Sequence, residues 1–173
     1  MNPIIFLDID GVLNSHSYYE SDRYKEKDTI DNRFDYDLEE IDERAVGYLS
    51  DLVKKTNADI VVSSTWRNRY SVEDLQKLLE TKGLVGKVIG KTPRCGEDCI
   101  RGNEILKWMK TNIKDYSDFN CYVILDDDSD MLYWQRNNLI VVDGSVGLTS
   151  TLCYRAKRIL ESFKGSVCEL KEQ

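Results

Sequence analysis

The chain has 173 residues, of which 41% are hydrophobic and 32% are charged, and its net charge is −7. This length suits one domain with its own core, and no apolar run reaches the ~18 residues that a membrane helix needs. The acidic balance argues against sequence-independent capture of nucleic acid, which depends on a basic surface, and leaves room only for a local basic patch. Because no basic region precedes the short apolar start, and the cysteines number five, we expect a cytoplasmic protein with reduced thiols.

Apolar runs alternate with helical patterns along the chain. Buried strands are predicted at Ile4 to Leu7, Ile60 to Val62, Val85 to Ile89, Tyr122 to Leu125 and Leu139 to Val142. Apolar residues at helical spacing predict helices over 45–55, 72–81, 103–111 and 151–163. Ser71 and Asp74 resemble a capping box at the start of the second helix. Strands that alternate with helices predict one α/β domain over 1–173, a three-layer Rossmann-like fold with a mainly parallel sheet.

One segment, at about 14–44, breaks this alternation and predicts a small insertion after the first strand. Residues 20–44 hold eleven acids and five bases, a net of −6, which leaves −1 for the rest of the chain. Several aromatic residues lie within the same insertion. Two interpretations stay open: a solvated surface loop, or a small lid over a site at the end of the first strand.

Polar side chains follow three of the predicted strands at the point where each strand ends. Asp8 and Asp10 end the first strand, Ser63 follows the second, and Asp126 and Asp127 follow the fourth. Ligands of an open parallel sheet bind outside the carboxyl ends of its strands. Any one of these residues alone is typical of a turn or a helix cap. Together, the acids predict an oxygen-rich site for Mg²⁺, and the hydroxyl supplies a donor for an anion such as phosphate.

These residues resemble the motifs of the haloacid dehalogenase (HAD) superfamily of phosphohydrolases. Asp8-Ile9-Asp10-Gly11 is similar to the first motif, Ser63 to the second, and Asp126-Asp127 to the fourth. Arg101, at the start of a predicted helix, is the best candidate for the basic residue of the third motif, with Lys91 or Arg94 as alternatives.

Three further segments resemble, more narrowly, a HAD subgroup found in RNA-repair proteins and phages. They are Ser-Ser-Thr-Trp-Arg at 63–67, Arg-Gly-Asn-Glu-Ile at 101–105 and Gly-Leu-Thr at 147–149. The resemblance extends over nearly the whole chain, and it implies a HAD-like fold and phosphatase chemistry.

The resemblance also implies a role for each residue of the site. Asp8 would be the nucleophile that forms an aspartyl-phosphate, and Asp10 would protonate the leaving oxygen and later activate water. Mg²⁺ would be held by Asp8, the backbone carbonyl of Asp10 and Asp127, with Asp126 close by.

The phosphate oxygens would be held by Ser63 and Arg101. Arg67 is expected either to contact substrate just beyond Ser63 or to be an ordinary surface arginine. Asp130 is expected to lie behind the metal ligands or to start a helix.

The predicted function is therefore that of a Mg²⁺-dependent phosphomonoesterase, acting on a nucleic-acid end, a nucleotide or another phosphorylated small molecule. The alternative is a module that binds phosphorylated ligands or acts as a receiver-like signalling domain without hydrolase activity. A receiver carries its phosphorylated aspartate after the third strand, where this chain has Lys91 and Thr92.

Two other segments carry weaker signals. Residues 86–92 end like a P-loop, but Val85 occupies the position of that motif's first glycine, so we reject a nucleotide triphosphatase. Cys95 and Cys99 are too far apart for a CxxC redox pair and no histidine lies near them in the sequence, so free thiols are predicted.

Overall fold

A five-stranded sheet, parallel throughout, forms the centre of the fold in the computed structural model. The structure describes residues 1–24, 32–96, 98–114 and 121–169, with side chains up to 162. The strands are β1 (Ile4–Leu7), β2 (Asp59–Val62), β3 (Val88–Lys91), β4 (Tyr122–Asp126) and β5 (Leu139–Val141). Their spatial order is β3-β2-β1-β4-β5, so β1 lies at the centre between β2 and β4. The predicted α/β fold is confirmed, and the sheet order places the ends of β1, β2 and β4 side by side.

Helices cover both faces of the sheet, as the predicted three layers require. They are α1 (His16–Tyr19), α2 (Arg33–Glu40), α3 (Glu43–Thr56), α4 (Val72–Thr81), α5 (Arg101–Asn112) and α6 (Ser150–Glu169). Successive side chains of a strand point to opposite faces, so Ile5 and Leu7 pack with α3, α4 and α6, whereas Ile4 and Phe6 pack with α5. No described helix is both long and apolar enough to cross a membrane.

Most of the predicted elements are confirmed, and the third strand is displaced. The capping box of Ser71 and Asp74 is present at the start of α4. The strand predicted at Val85 to Ile89 begins instead at Val88 and ends at Lys91. Val85 is 55% exposed, and its N–H donates to the Ser50 hydroxyl at 3.0 Å rather than to a neighbouring strand.

The insertion after β1 contains α1 and α2, while 25–31 lie outside the described residues. It differs from a simple solvated loop because Asp37 of α2 is only 1% exposed. The Tyr70 hydroxyl donates to Asp37 at 2.8 Å and thereby ties α2 to the segment that follows β2.

The prediction of free thiols at Cys95 and Cys99 is wrong, because the two residues form a disulfide. Gly96 turns the backbone between them with a φ of 128°, in the region that favours glycine. The two Cα atoms lie 5.7 Å apart, within the range that a disulfide spans. Sequence spacing did not indicate this turn. Cys153 is a free thiol.

Candidate active site

The carboxylates at the ends of β1 and β4 meet in one cluster. Oxygen atoms of Asp8, Asp126 and Asp127 all lie within 4.8 Å of one another. The parallel pairing of β1 with β4 produces this meeting, because the Asp8 N–H donates to the carbonyl of Leu125 at 2.9 Å. Asp126 is fully buried, and its Oδ2 has no hydrogen-bond partner among the described residues. An all-oxygen donor set with an unpartnered buried oxygen fits a hard divalent cation.

Burial and mutual repulsion disfavour the ionised forms of these acids. Burial and the neighbouring Asp8 together raise the pKa of Asp126 to about 7, against the lowering effect of Arg101. Burial likewise raises the pKa of Asp8, against the lowering effects of Arg101 and of a hydrogen bond from Ser64. A cation among the carboxylates would offset this cost.

Gly11 allows this cluster to form beside the β1 motif. Its φ is 71°, in the region that glycine tolerates best. A Cβ atom at this position would lie 2.2 Å from Oδ2 of Asp127, a distance that no packing permits. The fourth residue of the motif is therefore a glycine for two reasons, backbone conformation and the close approach of the Asp127 carboxylate.

Asp10 is exposed, and three side chains orient its carboxylate. The indole Nε1 of Trp66 donates to Oδ1 at 3.0 Å and to Oδ2 at 3.1 Å. Asn14 Nδ2 donates to Oδ1 at 3.1 Å, and the Thr65 hydroxyl donates to Oδ2 at 3.3 Å. The sequence analysis assigned no role to any of these three residues. The signal was present in Ser-Ser-Thr-Trp-Arg, where a tryptophan directly follows the strand-end hydroxyls.

The two residues predicted to hold phosphate, Ser63 and Arg101, lie at the same edge of the sheet as the cluster. Ser63 is fully buried, and its hydroxyl has no hydrogen-bond partner among the described residues. NH1 of Arg101 lies 3.4 Å from Asp8 Oδ1 and 3.6 Å from Asp126 Oδ2. Burial lowers the pKa of Arg101, but Asp8, Asp126 and Asp130 together raise it above its usual value, so the guanidinium stays positive. The backbone N–H of Arg101 donates to Oδ2 of Asp130 at 2.9 Å, so Asp130 lies at the start of α5.

The two alternatives for the basic residue lie elsewhere. Lys91 Nζ donates to the backbone carbonyls of Arg67 at 2.9 Å and Tyr70 at 2.6 Å, so its charge anchors a turn. Arg94 is exposed in the loop that carries the disulfide. Of the three candidates, Arg101 is the one whose guanidinium reaches Asp8.

Arg67 is not the surface arginine of one interpretation, since only 8% of it is exposed. Its NH2 pairs with Glu104 of α5, a residue that is also buried, and its NH1 donates to the backbone carbonyl of Ser64 at 2.7 Å. These contacts engage both terminal nitrogens of the guanidinium within the protein, while Nε has no hydrogen-bond partner among the described residues, so the substrate contact stays a prediction beside this positioning role. The pair joins the Ser63 loop to the helix that begins with Arg101.

Close packing explains why a glycine occupies position 102, the second residue of the segment at 101–105. A Cβ atom there would lie 2.5 Å from Gln135 Oε1 and 2.5 Å from the backbone N of Leu132. Gln135 Nε2 donates to the Gly102 carbonyl at 2.9 Å. The start of α5 thus packs closely against the segment after β4, and this packing keeps Arg101 near the acidic cluster.

One comparison with known proteins identifies the chain. A family model described as the HAD domain in Swiss Army Knife RNA repair proteins matches residues 4–153, which include every site residue described above. Searches of curated proteins and of solved structures found no match. With five parallel strands and the acidic cluster at their ends, this chain belongs to that family of HAD domains.

Proposed function

We propose that the protein is a Mg²⁺-dependent phosphomonoesterase that acts through an aspartyl-phosphate on Asp8. The family supports phosphohydrolase chemistry in general terms. The proposal of Asp8 as the nucleophile depends on one observation, the position of its carboxylate. That carboxylate belongs to the acidic cluster, where a cation would bind, and it contacts Arg101, which would bind an anion together with Ser63. Ser63 supplies a buried hydroxyl without a partner among the described residues.

In the first step, an oxygen of Asp8 attacks phosphorus in line with the leaving oxygen. The bond from phosphorus to the leaving oxygen breaks, and Asp10 donates a proton to that oxygen. In the second step, Asp10 accepts a proton from water as the water oxygen attacks phosphorus, the bond from phosphorus to Asp8 breaks, and inorganic phosphate leaves with Asp8 restored as a carboxylate. Trp66 holds Asp10 in position for both transfers.

The other residues bind and orient the phosphoryl group. Ser63 and Arg101 would donate to its oxygens and neutralise charge that develops during transfer. Asp8, Asp126, Asp127 and the backbone carbonyl of Asp10 would hold Mg²⁺, which supplies further charge neutralisation when it is bound. Glu104 would act at a distance, since its buried pair with Arg67 keeps α5 in place.

For the substrate we propose a phosphorylated nucleic-acid end or a nucleotide. The family description names RNA repair, which favours the nucleic-acid end. The described insertion is two short helices, and it does not cover the site as a separate folded domain would.

The test measures phosphate release from an aryl phosphate with Mg²⁺ and after chelation. We expect release by wild type only with metal, and none by Asp8→Asn. Asp59→Asn is the matched control, because Asp59 begins β2 at the opposite end of the sheet and bonds Asn2 at 3.2 Å. If wild type and Asp8→Asn are equally inert with and without metal, the proposal fails and a module that only binds phosphorylated ligands is favoured.

A further inference from the structure

A polar cleft opens beside Asp10, between α2 of the insertion and the 3-10 helix Thr65–Asn68 that follows β2. Its lining includes the proposed acid and base as well as two arginines and a tyrosine that the mechanism does not use: Asp10, Arg33, Tyr36, Asp37, Trp66 and Arg69. A group that leaves from the phosphorus atom receives its proton from Asp10, so it departs on the side of this cleft. The cleft is therefore placed to hold the part of the substrate that the reaction releases.

Two arginines of the cleft share one carboxylate, that of Asp37, within a lining that holds three acids and two bases. Arg33 NH2 lies 2.9 Å from Oδ1 of Asp37, and Arg69 NH2 lies 3.3 Å from its Oδ2. Oδ2 also accepts the Tyr70 hydroxyl at 2.8 Å. Two guanidinium groups thus share one buried carboxylate, which leaves one positive charge uncompensated within this group.

Both arginines present donors to the cleft. The side chain of Arg33 is 61% exposed and that of Arg69 is 43% exposed. Among the described residues, NH2 is the one nitrogen of each guanidinium that pairs with a carboxylate. Both arginines line the cleft, where a phosphate oxygen would accept their remaining N–H groups, and a planar guanidinium suits such a bidentate contact.

The other acid in the cleft, Glu40, already receives protein donors. The Tyr19 hydroxyl donates to Glu40 Oε2 at 2.5 Å, and the Tyr24 hydroxyl donates to Oε1 at 3.4 Å. Tyr36 is 37% exposed, and the Arg33 guanidinium lies 5.2 Å from its ring centre. An exposed tyrosine ring beside an arginine offers a flat surface on which a nucleobase stacks.

We propose that this cleft is a leaving-group subsite for a nucleic-acid end. Arg33 and Arg69 bind the internucleotide phosphate nearest the terminal phosphate, and Tyr36 stacks on the adjoining base. The inference rests on the proposed function, since it places the terminal phosphate at Asp8. It goes further by selecting an oligonucleotide end over a mononucleotide or a sugar phosphate, and it assigns the phosphate contacts of an acidic protein to two exposed arginines.

The test compares two phosphorylated deoxydinucleotides that differ in one group, with a natural phosphodiester or with an uncharged methylphosphonate between the nucleosides. Each is prepared with its phosphate at the 3′ end and, separately, at the 5′ end. We expect wild type to show kcat/KM about tenfold to a hundredfold higher for the charged linkage in one of these polarities, expressed mainly in KM. Arg33→Gln/Arg69→Gln should lose that preference.

Arg155→Gln/Arg158→Gln is the control variant, because both arginines are exposed on α6 outside the cleft and the double substitution removes the same two positive charges. It should keep the wild-type preference. The comparison of linkages in wild type needs no variant, so it stays decisive even if the double variant does not fold. Equal kcat/KM for the charged and neutral linkages in both polarities would overturn the subsite. Such a result alongside turnover of an aryl phosphate would leave the proposed function standing, whereas absence of all turnover would remove the proposed function itself.

Discussion

Replacing Trp66 with phenylalanine tests whether this residue positions Asp10 for proton transfer. The substitution keeps an aromatic ring but removes the indole N–H that lies 3.0 and 3.1 Å from the two carboxylate oxygens of Asp10. Hydrogen bonds to a charged group contribute about 1.5–3 kcal/mol, which corresponds to about tenfold to a hundredfold in rate if the bond acts in the transition state. Asn14 and Thr65 still donate to the carboxylate, so we expect the lower part of that range.

The assay measures kcat of wild type and of Trp66→Phe with two substrates, an aryl phosphate and an alkyl phosphate. An aryl oxide leaves readily without a proton, whereas an alkoxide depends on the general acid. We expect kcat to fall by about tenfold for the alkyl phosphate and much less for the aryl phosphate. A loss of packing alone would slow both substrates alike.

Trp108→Phe is the matched control for packing. Trp108 is 6% exposed, compared with 2% for Trp66, and it packs edge-to-face on Phe6 in the smaller core cluster. Both variants should lose stability, by about 1–3 kcal/mol, because each removes volume from a buried site. Equal rate losses for the two substrates in Trp66→Phe, or the same leaving-group dependence in Trp108→Phe, would refute the positioning role.

Four other measurements follow from the site and its supports. Thermal unfolding should show that Mg²⁺ raises the Tm of wild type and not of Asp127→Asn; an equal rise in both would contradict the metal assignment. The folded protein raises the pKa of Asp126 to about 7, so the contribution of protonated Asp126 to stability is complete below about pH 4 and is lost as pH rises through 7. In the presence of a chelator, the Tm of wild type should therefore fall between about pH 4 and pH 7, and the Tm of Asp126→Asn should fall less. Glu104→Ala leaves a buried guanidinium unpaired and should lower the free energy of unfolding by about 3–5 kcal/mol in urea titrations; a change below about 1 kcal/mol would show that the pair is dispensable. Trypsin without reductant should release the peptide of 95–101 lighter by two hydrogens, and recovery of free thiols would contradict the bond between Cys95 and Cys99.

The main chemistry of the site could be predicted from local patterns in the sequence. Asp8, Ser63 and Asp126 each follow a short apolar run, and the ends of parallel strands meet at one edge of a sheet. Periodicity was sufficient to predict β1 and α4 to the residue. It misplaced β3, because Val85 is apolar yet exposed, and its N–H bonds a serine of a distant helix.

Partners distant in the chain could not be predicted in this way. Nothing local distinguishes Arg67 as a buried ion-pair residue, since its partner Glu104 lies 37 positions later on a different helix. The disulfide of Cys95 and Cys99 depended on a backbone turn that the spacing of the two residues did not reveal.

The sequence by itself determined the fold class, the acids of the site and the phosphohydrolase family, because these depend on strand-end motifs that are contiguous in the chain. Only the tertiary structure decided that Arg101, rather than Lys91, reaches Asp8, and that Trp66 holds Asp10. The structure also formed the cleft in which Arg33 and Arg69 meet. The physical reason is that side-chain pairing depends on which helices and loops the sheet order brings together. A pattern along the chain carries no information on the distance in space between such segments.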